Sequence, residues 1–137
     1  MITTISNSNL TVQIKHLGAE LFSIKNEQNK EYIWEGNPFF WGKHSPILFP
    51  IVGSLKNNTY HIDGKQFHLN RHGFAREKEF ELIKKTDETA TFSLISSNET
   101  KEIYPFDFEL QIYYTLNENQ LNIGYKVVNE NNSVLPF

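Results

Sequence analysis

The sequence predicts an all-β protein built as an antiparallel β-sandwich. Apolar and polar residues alternate at period two in segment after segment, and turn signals recur between those segments. No stretch keeps a 3.6-residue apolar period. In chain order, Leu10, Val12 and Ile14 alternate with Thr11, Gln13 and Lys15, and Leu21 to Ile24 follow Gly18, so these two runs predict an opening hairpin. Trp34 to Gly53 then reads as a long loop rich in aromatics and proline, and loops of this length in a compact domain tend to be functional. In Tyr60 to Leu69 the pair Asp63-Gly64 stands between two alternating runs, which predicts a two-residue type I′ turn because both central positions need positive φ. That turn sets Ile62 opposite Lys65 and Tyr60 opposite Phe67. Tyr60, Ile62, Phe67 and Leu69 then face the core, with His61, Gln66 and His68 on the other side. Further strands are predicted at Glu79 to Lys84 and Thr89 to Ser97, followed by one helical turn before Pro105. A long hairpin comes last, from Phe106 to Tyr114 and from Leu121 to Val127, joined through Asn117 to Gln120.

Composition narrows the function. At 137 residues the chain holds one core, and 14% aromatic content with eleven Phe is high. A net charge of −3 and a pI near 5.9 exclude a nucleic-acid binder, which needs a basic surface. No run reaches the roughly 20 apolar residues of a membrane span, and the N-terminus lacks a signal-peptide pattern. The absence of cysteine removes disulfides and thiolate metal sites and fits a cytoplasmic setting. The expected ligand is a small molecule.

The densest chemical signal is Arg71-His72-Gly73-Phe74-Ala75-Arg76, directly after the Asp63-Gly64 hairpin. A histidine between two arginines, beside a glycine that lets the backbone come close, suits a pocket for a polyhydroxylated or anionic small molecule. Histidine exchanges protons near neutrality, with an ordinary pKa of about 6.5. From local sequence His72 has two readings, a catalytic or binding group and a capping or core hydrogen-bonding group. His61 and His68 share a face without being directly opposed and lack a third ligand, so they read as structural and exposed. His16 reads as structural at a strand end, while His44, beside Lys43, has two readings, a structural group and a group at a pocket mouth. Trp34 and Trp41 read first as core residues and second as stacking faces for a sugar ring.

Four segments in order resemble the aldose 1-epimerase, or galactose mutarotase-like, family. They are Pro46 to Gly53, the Asp63-Gly64-Lys65 hairpin, His72-Gly73-Phe74-Ala75-Arg76 and Tyr104-Pro105-Phe106, and the likeness runs on to Val134-Leu135-Pro136-Phe137. The similarity is nearest the bacterial epimerase-like proteins and the hexose-6-phosphate mutarotases. It implies an antiparallel supersandwich about twice this long, so residues 1–137 are expected to form the N-terminal part of one domain whose C-terminal half is missing. It also implies cofactor-free and metal-free interconversion of α and β anomers of a hexose or hexose phosphate. An acid protonates the ring oxygen while a base takes the proton of the C1 hydroxyl, and the ring opens, rotates and closes.

By the same resemblance His72 matches the first family histidine, which contacts sugar hydroxyls, and Arg76 matches the arginine associated with the anionic group in the sugar-phosphate branch. Arg71 and Phe74 are expected to line the substrate site with them. Ser54 stands where many members carry an arginine, so that contact is either lost or taken over by Lys56 or Arg71. The family's general acid and base fall after Phe137, and the chain alone is therefore expected to be inactive. The alternative reading is a sugar-binding module without catalysis. A third treats Arg71 and Arg76 as partners of Glu77 and Glu79 only. The unfinished strand edge at Leu121 to Val128, with Phe106, Phe108 and Tyr125 exposed, is expected to drive self-association.

Overall fold

Period-two alternation becomes three antiparallel sheets in the computed structural model, which describes residues 1–137. The first sheet holds β1 (Ile2–Ser6), β2 (Leu10–Lys15) and β3 (Leu21–Asn26) in that order. β1 is a strand that apolar alternation does not announce, because one of its two buried residues is Thr3 and the other is Ile5. Thr3 is tolerated inside because its hydroxyl lies 2.9 Å from His16 Nε2. The β2–β3 pair confirms the opening hairpin, with Val12 opposite Ile24 and Ile14 opposite Leu21.

The hairpin β4 (Thr59–Ile62) and β5 (Lys65–His68) has the predicted register, Ile62 to Lys65 and Tyr60 to Phe67. Asp63 (φ 48°) and Gly64 (φ 78°) supply its turn. The third sheet runs β6 (Glu81–Lys85), β7 (Thr89–Ile95), β8 (Phe108–Asn117) and β9 (Gln120–Asn129). Between β7 and β8 the helix α1 (Asn98–Ile103) starts on a capping box. The Ser97 hydroxyl accepts from the Thr100 amide at 3.2 Å, and the Ser97 amide donates to the Thr100 hydroxyl at 2.8 Å.

β8 alternates without a break. Phe108, Leu110, Ile112, Tyr114 and Leu116 are buried, and they share one core with Ile5, Val12, Ile14 and Phe92 from the other strands. Each such side chain contributes about 1.5–3 kcal/mol on burial. Two expectations are corrected here. Phe106 and Phe108 are 8% and 0% exposed, because Phe106 packs on Tyr104 and Phe108 on Phe49 and Phe74. Only Tyr125 of that trio faces water, at 60% exposure on β9, whose second edge has no partner strand. No helix is long and apolar enough to cross a membrane.

Candidate functional site

The segment after β5 is shaped by a close backbone approach. Gly73, at φ 68°, forms a parallel bridge with Phe49, whose carbonyl accepts the amide protons of Phe74 at 2.9 Å and Ala75 at 3.3 Å. A Cβ on Gly73 would run into the Phe49 carbonyl and come within 2.7 Å of Pro50 Cδ. The glycine therefore serves contact with the neighbouring chain segment, not contact with a ligand. Its neighbour His72 takes φ 69°, in the left-handed region, and lines a cleft.

That ring is held from both sides. The His72 amide donates to the Gly53 carbonyl at 2.8 Å, and the Gly53 amide donates back to His72 Nδ1 at 2.9 Å. Arg71 Nε lies 3.1 Å from His72 Nε2. Partial withdrawal from water, and then the charges of Arg71 and Arg76, hold the imidazole below its ordinary pKa. Arg76 Nη2 donates to the Arg71 carbonyl at 3.0 Å, while its Nε has no hydrogen-bond partner and lies 3.5 Å from the Glu77 carboxylate.

Arg71, His72 and Arg76 line a cleft of about 560 Å³ together with Trp41, Lys43, Pro46 and Leu48. It carries three cationic side chains, one histidine and one large aromatic face. A second, larger cavity of about 690 Å³, walled by Leu10, Ile24, Asn26, Tyr32 and Leu121, has no histidine or cation on its wall. The first cleft is thus equipped to hold an oxygen-rich or anionic small molecule through charged donors and a stacking surface.

The residues singled out from the sequence divide accordingly. Arg71, His72 and Arg76 come together. Phe74 does not join them, being 4% exposed with its ring 6.1 Å from Tyr104 and 6.0 Å from Phe108. Ser54 and Lys56 are exposed and lie outside the cleft lining, so the basic residue nearest His72 is Arg71. Arg71 and Glu79 form no ion pair, and Arg76 meets Glu77 without leaving the cleft.

His44 is not at the mouth. It tucks against Phe22, with its amide bonded to Glu20 at 2.9 Å, whereas the adjacent Lys43 reaches the cleft. His61 and His68 are exposed on the hairpin's outer face, and His16 is buried edge-on to Phe92.

The aromatic loop bears out its core reading only in part, since Phe49 is buried in the core while the Trp34 to Trp41 stretch is not. Phe39 and Phe40 are 94% and 82% exposed, and Trp41 is half-exposed on the cleft wall. Trp34 supports Trp41 from behind, donating its indole N–H to the Trp41 carbonyl at 2.8 Å. Lys43 was the cleft residue that the sequence concealed. Its one signal is a cation in a loop of glycines and aromatics, two positions from Trp41.

Outside the cleft lining, the core aromatics Phe49 and Tyr104 receive Pro136 and Phe137. The Tyr104 hydroxyl donates to the Pro136 carbonyl at 2.7 Å, and the Phe137 ring lies 6.1 Å from Phe49.

Comparison with known proteins is consistent along the whole length. The chain is 38% identical to the LacX proteins of Lactococcus lactis subsp. lactis, chromosomal and plasmid, over 100% of its own length and 48% of theirs. The fold matches a galactose mutarotase related enzyme from Lactobacillus acidophilus, with TM-score 0.92 and 45% identity over 94% of this chain and 43% of that one. It also matches a galactose mutarotase-like protein from Lactobacillus casei, with TM-score 0.93 and 36% identity over 97% and 46% of the two chains. The chain spans about half the length of these relatives. A family model described as aldose 1-epimerase matches residues 1–137, and the chain belongs to the aldose 1-epimerase family.

Proposed function

We propose that this chain is the N-terminal, ligand-gripping part of a single mutarotase-type domain, and that the whole domain interconverts the α and β anomers of a hexose or hexose phosphate. The observation that carries this reading is the grouping of His72, Arg71, Arg76, Lys43 and Trp41 around one cleft. Trp41 offers a flat apolar face for a sugar ring. His72 and Arg71 face the hydroxyl-bearing edge, and Arg76 with Lys43 suits an anionic substituent. Family membership supports a sugar as the ligand, and the cysteine-free composition supports a cytoplasmic setting.

Anomer interconversion needs one group to protonate the ring oxygen and another to take the proton from the C1 hydroxyl. Of the seven residues that line the cleft, His72 is the one whose side chain exchanges protons near neutrality. That observation favours a second reading for the chain alone, binding without catalysis. The complementary acid and base then belong to the half that the longer relatives possess.

Polarimetry of freshly dissolved α-galactose or α-glucose tests both parts. The chain alone should leave the buffer rate unchanged, and a chain extended to the length of its relatives should raise it in a manner that depends on His72. A protein-dependent rate from residues 1–137 that disappears in His72→Ala would overturn the division of labour proposed here.

A further inference from the structure

His72 makes a contact pattern that a neutral imidazole cannot satisfy. Gly53 N–H points at Nδ1 from 2.9 Å, and Arg71 Nε–H points at Nε2 from 3.1 Å. Both partners are donors, and arginine keeps its protons at any ordinary pH. A neutral imidazole has one lone-pair nitrogen and one N–H, so it accepts one of these two donors and confronts the other.

The choice between them follows from mobility. The Gly53 amide is fixed, because the same two residues are also tied by the His72 N–H to Gly53 carbonyl bond at 2.8 Å. Arg71 sits on a long side chain at the cleft rim, and no carboxylate holds it.

We propose that the Gly53 amide fixes His72 as the Nε2–H tautomer, so that the imidazole enters the cleft as a hydrogen-bond donor and Arg71 is a displaceable placeholder over that proton. Gly53 is then a positioning residue acting through its backbone. In the free protein the Nε2–H and the Arg71 Nε–H face each other, an opposition that an oxygen atom placed between them removes. That oxygen accepts from both, so the site selects an atom with two free lone pairs, such as a sugar hydroxyl, a sugar carbonyl or an anionic oxygen. An imidazolium would oppose both donors at once. Arg71, Arg76 and Lys43 are the charged groups around the ring, with Glu77 set against Arg76, and the surplus of positive charge acts in the same direction.

The identity of the oxygen rests on the sugar-cleft reading, whereas the tautomer does not. The two are therefore tested apart. Long-range proton–nitrogen correlation NMR of the chain with ¹⁵N-labelled histidine, assigned by loss of signals in His72→Gln, reads the tautomer without any sugar. The expected result near neutral pH is a proton on Nε2 and none on Nδ1, with a titration midpoint below the ordinary histidine value. Arg71→Met should raise the midpoint and leave the tautomer unchanged, its fold verified by the unaltered backbone spectrum. Should Arg71→Met disturb that spectrum, Arg71→Gln carries the same expectation. A proton on Nδ1, an average of the two tautomers, or a charged ring at neutral pH would overturn the proposal. Addition of galactose then asks the separate question. A shift of the Nε2–H signal supports a sugar oxygen as the acceptor, and no shift at saturating sugar leaves the tautomer standing while removing the sugar.

Discussion

Replacing Gly73 by alanine tests the contact that aims His72. Two costs are expected, and they can be separated. The first is conformational, since a non-glycine residue held at φ 68° costs about 1–2 kcal/mol. The second is steric. The new Cβ would overlap the Phe49 carbonyl and crowd Pro50, so the Gly73 backbone must retreat and the Phe74 amide loses its 2.9 Å bond to that carbonyl. A buried group left without its partner costs about 1–3 kcal/mol more, which gives about 2–5 kcal/mol for the whole substitution.

Gly64→Ala supplies the control. Gly64 also has positive φ, at 78°, but nothing stands within 4 Å of where its Cβ would go. It should lose only the conformational part, about 1–2 kcal/mol. Urea unfolding of the three proteins, monitored by far-UV circular dichroism and tryptophan fluorescence, gives the comparison through their midpoints at common slope. Equal losses for Gly73→Ala and Gly64→Ala would refute the claim that contact with Phe49 is what reserves position 73 for glycine.

Further predictions concern binding, pH and association. In the full-length protein, Arg76→Ala should weaken a hexose 6-phosphate more than the free hexose by about 1.5–3 kcal/mol, since a guanidinium–phosphate bond is charge-assisted. Calorimetric titration decides it, and equal losses would place Arg76 on the sugar ring or in structure. Burial raises the Tyr60 phenol to about 12, and its hydroxyl donates to the Ile103 carbonyl at 2.7 Å. The folded protein thus favours the neutral phenol. Tyr60 should contribute its full stabilisation below pH about 10, the ordinary tyrosine value, and lose it as the pH approaches 12. Alkaline unfolding that sets in later for Tyr60→Phe would agree, and a Tyr60 that titrates at the ordinary tyrosine value would not. The free edge of β9 and the exposed Tyr125 should give concentration-dependent association in light scattering, reduced by Tyr125→Lys. A monodisperse monomer at every concentration would exclude that edge as an adhesive surface.

The legible parts of the fold were those in which local chemistry and burial agree. Asp63-Gly64 dictates a turn with two positive φ values, and the β4–β5 register follows from it alone. β8 shows its alternation because one face is wholly apolar. Ser97 and Pro105 bracket α1 as start and stop. β1 was illegible because Thr3 is buried through a hydrogen bond to His16 and so leaves no apolar mark.

Density of aromatics proved a poor guide to depth. Phe106 and Phe108 form core contacts with an aromatic cluster that joins the neighbouring Tyr104 to Phe49 and Phe74, which are distant in sequence. Phe39 and Phe40 stay at the surface because the turn closed on Asn37 points them outward. At the site, the Arg71-His72-Arg76 grouping was legible as a run of charge beside a glycine. The second reading of Trp41 as a stacking face agrees with its place on the cleft wall, whereas the roles of Gly53 and Lys43 were not legible, since they depend on chain segments that meet only after folding.

The central claim, that the cleft around His72 takes a hexose, is tested most directly by titrating galactose and galactose 6-phosphate into the ¹⁵N-labelled chain. Saturable shifts confined to Gly53, Arg71, His72 and the Trp41 indole are expected, with the Arg76 guanidinium added for the phosphate, and these shifts should be lost in His72→Ala. Shifts that gather instead around Leu10, Asn26 and Tyr32, or none at all with either sugar, would contradict it.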